Sequence, residues 1–250
     1  METHKTDTAL SWLWDLPVAA ILLTRLPLPA LPQRAFAQPA RAVWAYPLVG
    51  LILGLIVGAL SWVCTAMDLS APVTAGLILG ALILLTGAMH EDGLADTADG
   101  LWGGQDATRR LEIMKDSRIG AYGVLALIVA MGLRWLGLAD VTLPALVTAL
   151  VLSRAMMPPL MLALPHARNT GLSHSVGAPS RGSVLLAILI GATVAIGLNG
   201  SAGVLALVMA TLIATMIGLL AKTKIGGQTG DILGATQLCT EIAILIVLIP

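Results

Sequence analysis

The sequence predicts an all-α, polytopic integral membrane protein with about six to seven transmembrane helices plus an N-terminal interfacial helix. The 250 residues are 57% hydrophobic and only 11% charged, and the mean hydropathy of +0.91 lies outside the range of a soluble domain. Several uncharged runs reach the roughly 20 residues that cross a bilayer. The runs also come in pairs with a short polar break at Asp68, Asp140 and Asn199–Gly200, which is the pattern of helical hairpins. The chain reads as one membrane-embedded domain over 1–250, with polar motif loops at about 90–120, 166–182 and 222–231.

Taken in order, Ala9–Thr24 is apolar but short and interrupted by Asp15 and Pro17, with Trp12 and Trp14 placed as interface anchors. It predicts an interfacial or half-inserted helix, and the acids Glu2 and Asp7 ahead of it do not fit a cleavable signal. Arg25–Arg41 carries Pro27, Pro29, Pro32 and Pro39 and cannot be regular helix. Ala42–Met67 with Leu69–Met89, Ala121–Ala139 with Val141–Pro165, and Ser183–Leu198 with Ser201–Ala221 then form three hairpins, and Asp231–Pro250 makes a last crossing. On this layout eleven cations (Arg25, Arg34, Arg41, Arg109, Arg110, Lys115, Arg118, Arg168, Arg181, Lys222 and Lys224) share one side, and only Asp68 and Asp140 mark the other turns. The positive-inside tendency makes the cation side, and with it every motif loop, cytoplasmic.

Formal net charge is zero, and no Lys/Arg block suggests a nucleic-acid partner. Membrane lipid is the implied surrounding, and a homo-oligomer is compatible with the pattern. Cys64 and Cys239 lie in or beside apolar segments at no metal-ligand spacing, and read as packed thiols.

The chemistry concentrates in His90–Gly104, HEDGLADTADGLWGG. Asp92, Asp96 and Asp99 recur at i, i+4 and i+7, so a helix holds them within about 60° of one another. A solvated acidic face is the common meaning of such a run, yet four of the chain's fourteen acids fall in nine positions here. Clustered carboxylates call for a cation, and Mg²⁺ shared with substrate phosphates is the natural one, implying a pyrophosphate or nucleotide ester as substrate. His90 falls on the far side of that helix.

Downstream, Lys115, Asp116 and Arg118 form a KDSRIG cluster suited to clamping phosphate. Arg134 sits near the outer end of its span, where it can snorkel. Arg154, deep in its span before Pro158 and Pro159, is costly there and predicts pairing with an acid or an anionic ligand. GGQTGDILGATQLCTE, from Gly226 to Glu241, opens a helix at the same face. Its free N–H groups favour phosphate, with Gln228 and Thr229 beside it and Asp231 placed as a further metal ligand. Glu241, about 15 Å further in, must take up a proton or find a partner. The loop His166–Gly182 reads as substrate-facing without any one residue standing out.

HEDGLADTADG, KDSRIGAYG, SRAMMPP and GGQTGDILGATQLCTE, with TRLPLP and YPLVG near the start, together resemble the cobalamin synthase (adenosylcobinamide-GDP ribazoletransferase) family over nearly the whole chain. Glu91 departs from the apolar residue that the family pattern has there. The resemblance implies a Mg²⁺-dependent, multi-pass enzyme of the cell inner membrane with its active site facing the cytoplasm. It would transfer the phosphate-bearing cobinamide of adenosylcobinamide-GDP to α-ribazole or its 5′-phosphate and release GMP. Asp92, Asp96 and Asp99 would be catalytic and, with Asp231, metal-binding; Lys115, Asp116, Arg118, Arg154, Gln228, Thr229 and Asp231 would contact substrate. Two other readings are a CDP-alcohol phosphotransferase, whose aspartate spacing is wider, and a secondary transporter using Arg154 and Glu241.

Overall fold

The computed structural model describes residues 11–249, and among these the regular structure is helical, with one isolated bridge pair between His166 and Gln228. The helices are α1 (Asp15–Leu23), α2 (Tyr46–Ala66), α3 (Ala71–Thr86), α4 (Met89–Gly103), α5 (Ala107–Ile113), α6 (Ala121–Ala139), α7 (Leu143–Ala155), α8 (Met157–Ala163), α9 (Leu172–Val176), α10 (Arg181–Ile225) and α11 (Gly230–Val247).

Five helical stretches are long and apolar enough to cross a membrane: α2, α6, α7 with α8, α10 and α11. The pair α3 and α4, bent by 86°, passes the same test only when the two are taken together as one broken span. The 45 residues of α10 would extend roughly 67 Å, over twice the hydrocarbon core. The helix is in fact two arms folded at Gly200 (φ 55°, ψ −125°). They press together so closely that a Cβ on Gly203 would collide with the Ala195 carbonyl. The hairpin predicted at Asn199–Gly200 is therefore present, and Asn199 Nδ2 ties it to Thr148 at 2.7 Å.

Two span boundaries differ from the sequence reading, and the N-terminal helix is short, as expected. At nine residues, α1 is too short to cross. Its Asp15 is buried and held by Arg41 at 2.8 Å and by Trp44 Nε1 at 2.9 Å. Residues 9 and 10 of the expected interfacial helix lie outside the described residues. The span expected over Leu69–Met89 stops at Thr86, where Gly87 and Ala88 both take positive φ (66° and 57°) and turn the chain into α4. The span expected over Val141–Pro165 breaks at Met156, because Pro158 has no N–H to give and fits only in the first turn of a new helix.

α7 is the axis of the bundle. Of its crossing with α8, 89% is buried, against 28–33% for α2, α6 and α10, which face outward. Small residues permit this packing, since lipid supplies no hydrophobic drive between helices. A Cβ on Gly50 of α2 would run into the Leu150 carbonyl, and one on Gly191 of α10 would lie 2.7 Å from Ala155 Cβ. Gly80, by contrast, has open space around it. Gly50→Val should therefore lower stability by about 1–3 kcal/mol or prevent folding, whereas Gly80→Ala should leave the detergent-solubilised melting temperature unchanged or slightly higher; equal melting for the two variants would contradict this packing.

Candidate active site

The acid-bearing helix α4 leaves α3 at a bend of 86° and packs against α6 and α11. It lies against α11 at glycine positions. A Cβ on Gly93 would stand 2.9 Å from the Asp231 carbonyl oxygen and 3.3 Å from Gly234 Cα, and one on Gly234 would stand 3.3 Å from the Met89 carbonyl oxygen. This backbone-to-backbone approach brings residues some 140 positions apart to one place. Asp92 is exposed and Asp96 half-buried. The Asp96 carboxylate stands in the like-charge field of Asp92, Asp231 and Asp99, with Arg168 acting against them. The convergence of the two acidic motifs that the sequence predicts is present.

Asp99 departs from expectation. It is buried, and its two oxygens accept the backbone N–H groups of Gly120 at 2.7 Å and Gly123 at 2.9 Å. Both glycines are required, since a Cβ at either would press on this carboxylate. A buried carboxylate must find donors, and the positive end of α6 supplies them. Asp99 thus anchors α4 to α6, while Asp92 and Asp96 are left to face Asp231.

The Gly226–Asp231 motif does open a helix, but its polar residues are occupied by local structure. The Thr229 hydroxyl caps α11 by accepting Ile232 N–H at 3.3 Å and donates to Asp231 Oδ2 at 3.1 Å. Gln228 is buried; its N–H donates to the Pro165 carbonyl at 2.8 Å and its own carbonyl accepts Ala167 N–H at 2.9 Å. Its side chain accepts from Ser173 Oγ at 2.6 Å and meets His166 Nδ1 at 2.9 Å. Gln228 and Thr229, expected at the substrate, instead staple the 164–176 loop to the helix and hold Asp231 in place. That loop contributes a residue the sequence did not single out: Arg168, paired with Asp231 at 3.0 Å.

Lys115, Asp116 and Arg118 lie exposed between α5 and α6. Arg118 grips Asp116 at 2.8 Å, and this hydrogen-bonded pairing holds the Asp116 carboxyl down at about 2. Only Lys115 of the three has no side-chain bond of this kind among the described residues, and the Arg118 fork must leave Asp116 to engage another anion.

Of the two intramembrane arginines, Arg134 differs from expectation and Arg154 lies near an acid, as its depth predicts. Arg134 does not snorkel: it is 2% exposed and bridges Glu91 at 2.6 Å and Glu241 at 2.8 Å. Arg154 is completely enclosed, donates to the Leu150 carbonyl of its own helix at 3.0 Å and stands 3.9 Å from Glu241. Gln237 completes the group, bonding Glu241 at 2.7 Å and Ser153 at 3.1 Å. Arg154 Nε and Nη2 are buried with no hydrogen-bond partner among the described residues, and Glu91 belongs to the network, not to the open acids. Two Glu and two Arg balance, which is what burial of charge requires. His90 is buried as well. Its Nε2 has no partner among the described residues, and it lines a cavity of about 40 Å³ beneath Gly230 and Gly234.

Among the described residues no three His, Cys, Asp or Glu side chains already form a metal cage. The donors that converge are hard carboxylate oxygens short of positive charge, which fits an ion sharing its shell with water and phosphate oxygens. Removing one member of the buried network leaves uncompensated charge. Arg134→Ala is therefore expected to cost about 3–5 kcal/mol, read as a large fall in detergent melting temperature; a variant melting like the wild type would show that the pairing carries little.

Comparison with known sequences fits this geometry. The family profile described as cobalamin-5-phosphate synthase matches residues 15–249. A Bradyrhizobium diazoefficiens protein named adenosylcobinamide-GDP ribazoletransferase is 44% identical over 248 residues, covering 97% of this chain and 95% of that one. Proteins of the same name from Mesorhizobium japonicum (40% identical; 93% of this chain, 92% of the relative) and Brucella anthropi (43%; 89% and 91%) match similarly. No solved structure matches. The transporter and CDP-alcohol phosphotransferase readings lose their ground, since the family match runs through both acidic motifs. The chain belongs to the cobalamin-5-phosphate synthase family of membrane-embedded transferases.

Proposed function

We propose that this protein transfers the cobinamide phosphate of adenosylcobinamide-GDP to a hydroxyl of α-ribazole or α-ribazole 5′-phosphate, releasing GMP, in a Mg²⁺-dependent reaction at the cytoplasmic face of the inner membrane. The observation that carries the reading is the seating of Gly93 on Asp231 and Gly234, which gathers Asp92, Asp96 and Asp231 at the start of α11.

The ribazole oxygen attacks the phosphorus next to cobinamide, and the bond from that phosphorus to the GMP oxygen breaks. Asp92, Asp96 and Asp231 offer the carboxylate oxygens for Mg²⁺, which when bound neutralises charge on the diphosphate. The Gly230 and Asp231 N–H groups, which the Thr229 cap does not take up, add fixed positive dipole at the start of α11 without reorganising. Lys115 and Arg118, on the loop at this end of the bundle, are cations for the phosphate of the departing GMP. An aspartate oxygen not engaged by the cation accepts the proton of the attacking hydroxyl. Asp99 acts through structure, keeping α4 in register with the start of α6.

The test is purified protein in liposomes with adenosylcobinamide-GDP, α-ribazole and Mg²⁺, following GMP and the corrinoid product. Asp92→Asn and Asp96→Asn should each reduce turnover by about two orders of magnitude or more while melting like the wild type. Near wild-type turnover in either variant would remove the acid pair from the reaction.

Orientation is tested separately. In a background lacking Cys64 and Cys239, cysteines at the exposed positions Gln105 and Ser180 should react with an impermeant maleimide only from the cytoplasmic side, and one at Asp140 only from the opposite side. Labelling of Gln105 and Asp140 from one face would break the topology.

A further inference from the structure

The Arg168–Asp231 pair is out of keeping with an acid cluster that is ready for a metal. Arg168 Nη2 lies 3.0 Å from Asp231 Oδ2, and both side chains are more than four-fifths buried. The same oxygen already accepts the Thr229 hydroxyl. The guanidinium also acts on Asp96, so among the described residues Arg168 is a protein cation set against the acids that would hold a divalent ion.

Its backbone is held more firmly than its side chain. The backbone beside it is pinned to α11 through Ala167 N–H on the Gln228 carbonyl and by the Ser173 and His166 bonds to the Gln228 side chain. The side chain itself has little hold. Nη1 is buried with no partner. Gly171, at φ +98°, lies over the guanidinium, where a Cβ would stand only 3.3 Å from Nη2. The glycine lets the loop backbone lie close over a guanidinium that is only partly satisfied.

We propose that Arg168 is a built-in counter-ion, displaced by substrate loading. It neutralises Asp231 while the acids are without a metal, a divalent cation takes its place on that carboxylate, and the released guanidinium then binds a phosphate of the nucleotide ester. An arginine fork suits both tasks, pairing two oxygens of a carboxylate or of a phosphate alike. The exchange keeps a cation beside the acids at each stage: the arginine before loading, and the divalent ion after it, when the arginine turns to the incoming diphosphate. The nucleotide step rests on the proposed reaction; the displacement step does not.

Mn²⁺ binding to detergent-purified protein, read as loss of the free-ion EPR signal without nucleotide, tests the displacement. Arg168→Met removes the competitor and should tighten Mn²⁺ binding by about three-fold or more, while Arg168→Lys should stay close to the wild type. With substrate present, Arg168→Met should raise the KM for adenosylcobinamide-GDP by about ten-fold or more. The wild-type protein offers a second readout. Phenylglyoxal modification at Arg168, followed by peptide mass spectrometry, should rise when Mg²⁺ is added and fall again with the nucleotide ester. A merely structural arginine gives the opposite pattern: Mn²⁺ binding unchanged or weakened in Arg168→Met, and labelling indifferent to Mg²⁺; either result overturns the proposal even if the wild type turns over. Tightened Mn²⁺ binding in a protein that releases no GMP would uphold the displacement and overturn the reaction assigned above.

Discussion

The close crossing of α4 on α11 is the constraint from which the rest of the site follows. Gly93 and Gly234 let two backbones approach to where any side chain would clash with a carbonyl oxygen or a Cα. A carboxylate stripe from one third of the chain then faces the capped start of a helix from its far end. Every polar group nearby serves that contact. Thr229 caps the helix, Gln228 ties down the 164–176 loop, and Asp99 takes the N–H groups of α6 so that α4 cannot rotate.

Behind the acids, the Glu91–Arg134–Glu241–Arg154 group joins α4, α6, α7 and α11 through side chains that are almost wholly buried. Such networks add little net stability compared with well-packed apolar side chains, but losing one member is costly. Here it fixes rotation. Glu91 and Asp92 are neighbours on α4, so the inward pull on Glu91 turns Asp92 toward the open end. The open acids and the buried ion pairs are two faces of the same helix.

Much of this was legible in the sequence. Hydropathy gives the crossings because bilayer thickness sets their length, and Asn199–Gly200 marks a hairpin because only a glycine there reaches the backbone conformation found at residue 200. The i, i+4, i+7 spacing places the acids on one helix, and GGQTGD places a helix start. What was not legible is partnership. Spacing cannot tell that Asp99 faces the N–H groups of α6 while Asp92 faces Asp231, since a turn of a few tens of degrees decides it. Nor can it show that Arg134 lies inward beside Glu241, 107 residues away. Gln228 and Thr229 look like ligand contacts because capping and phosphate binding use the same residue types at a helix start. Arg168 escaped notice because a loop arginine is ordinary until its partner is known.

The central claim is that Asp92, Asp96 and Asp231 form one cation site across the α4–α11 crossing. An experimental structure of the protein in nanodiscs, with Mn²⁺ located by its anomalous signal or by density, tests it most directly. The account predicts an ion between α4 and the first turn of α11, within coordination distance of an Asp231 oxygen and at least one of Asp92 and Asp96. An ion bound elsewhere, or bound by α4 alone with Asp231 still paired to Arg168, would contradict it.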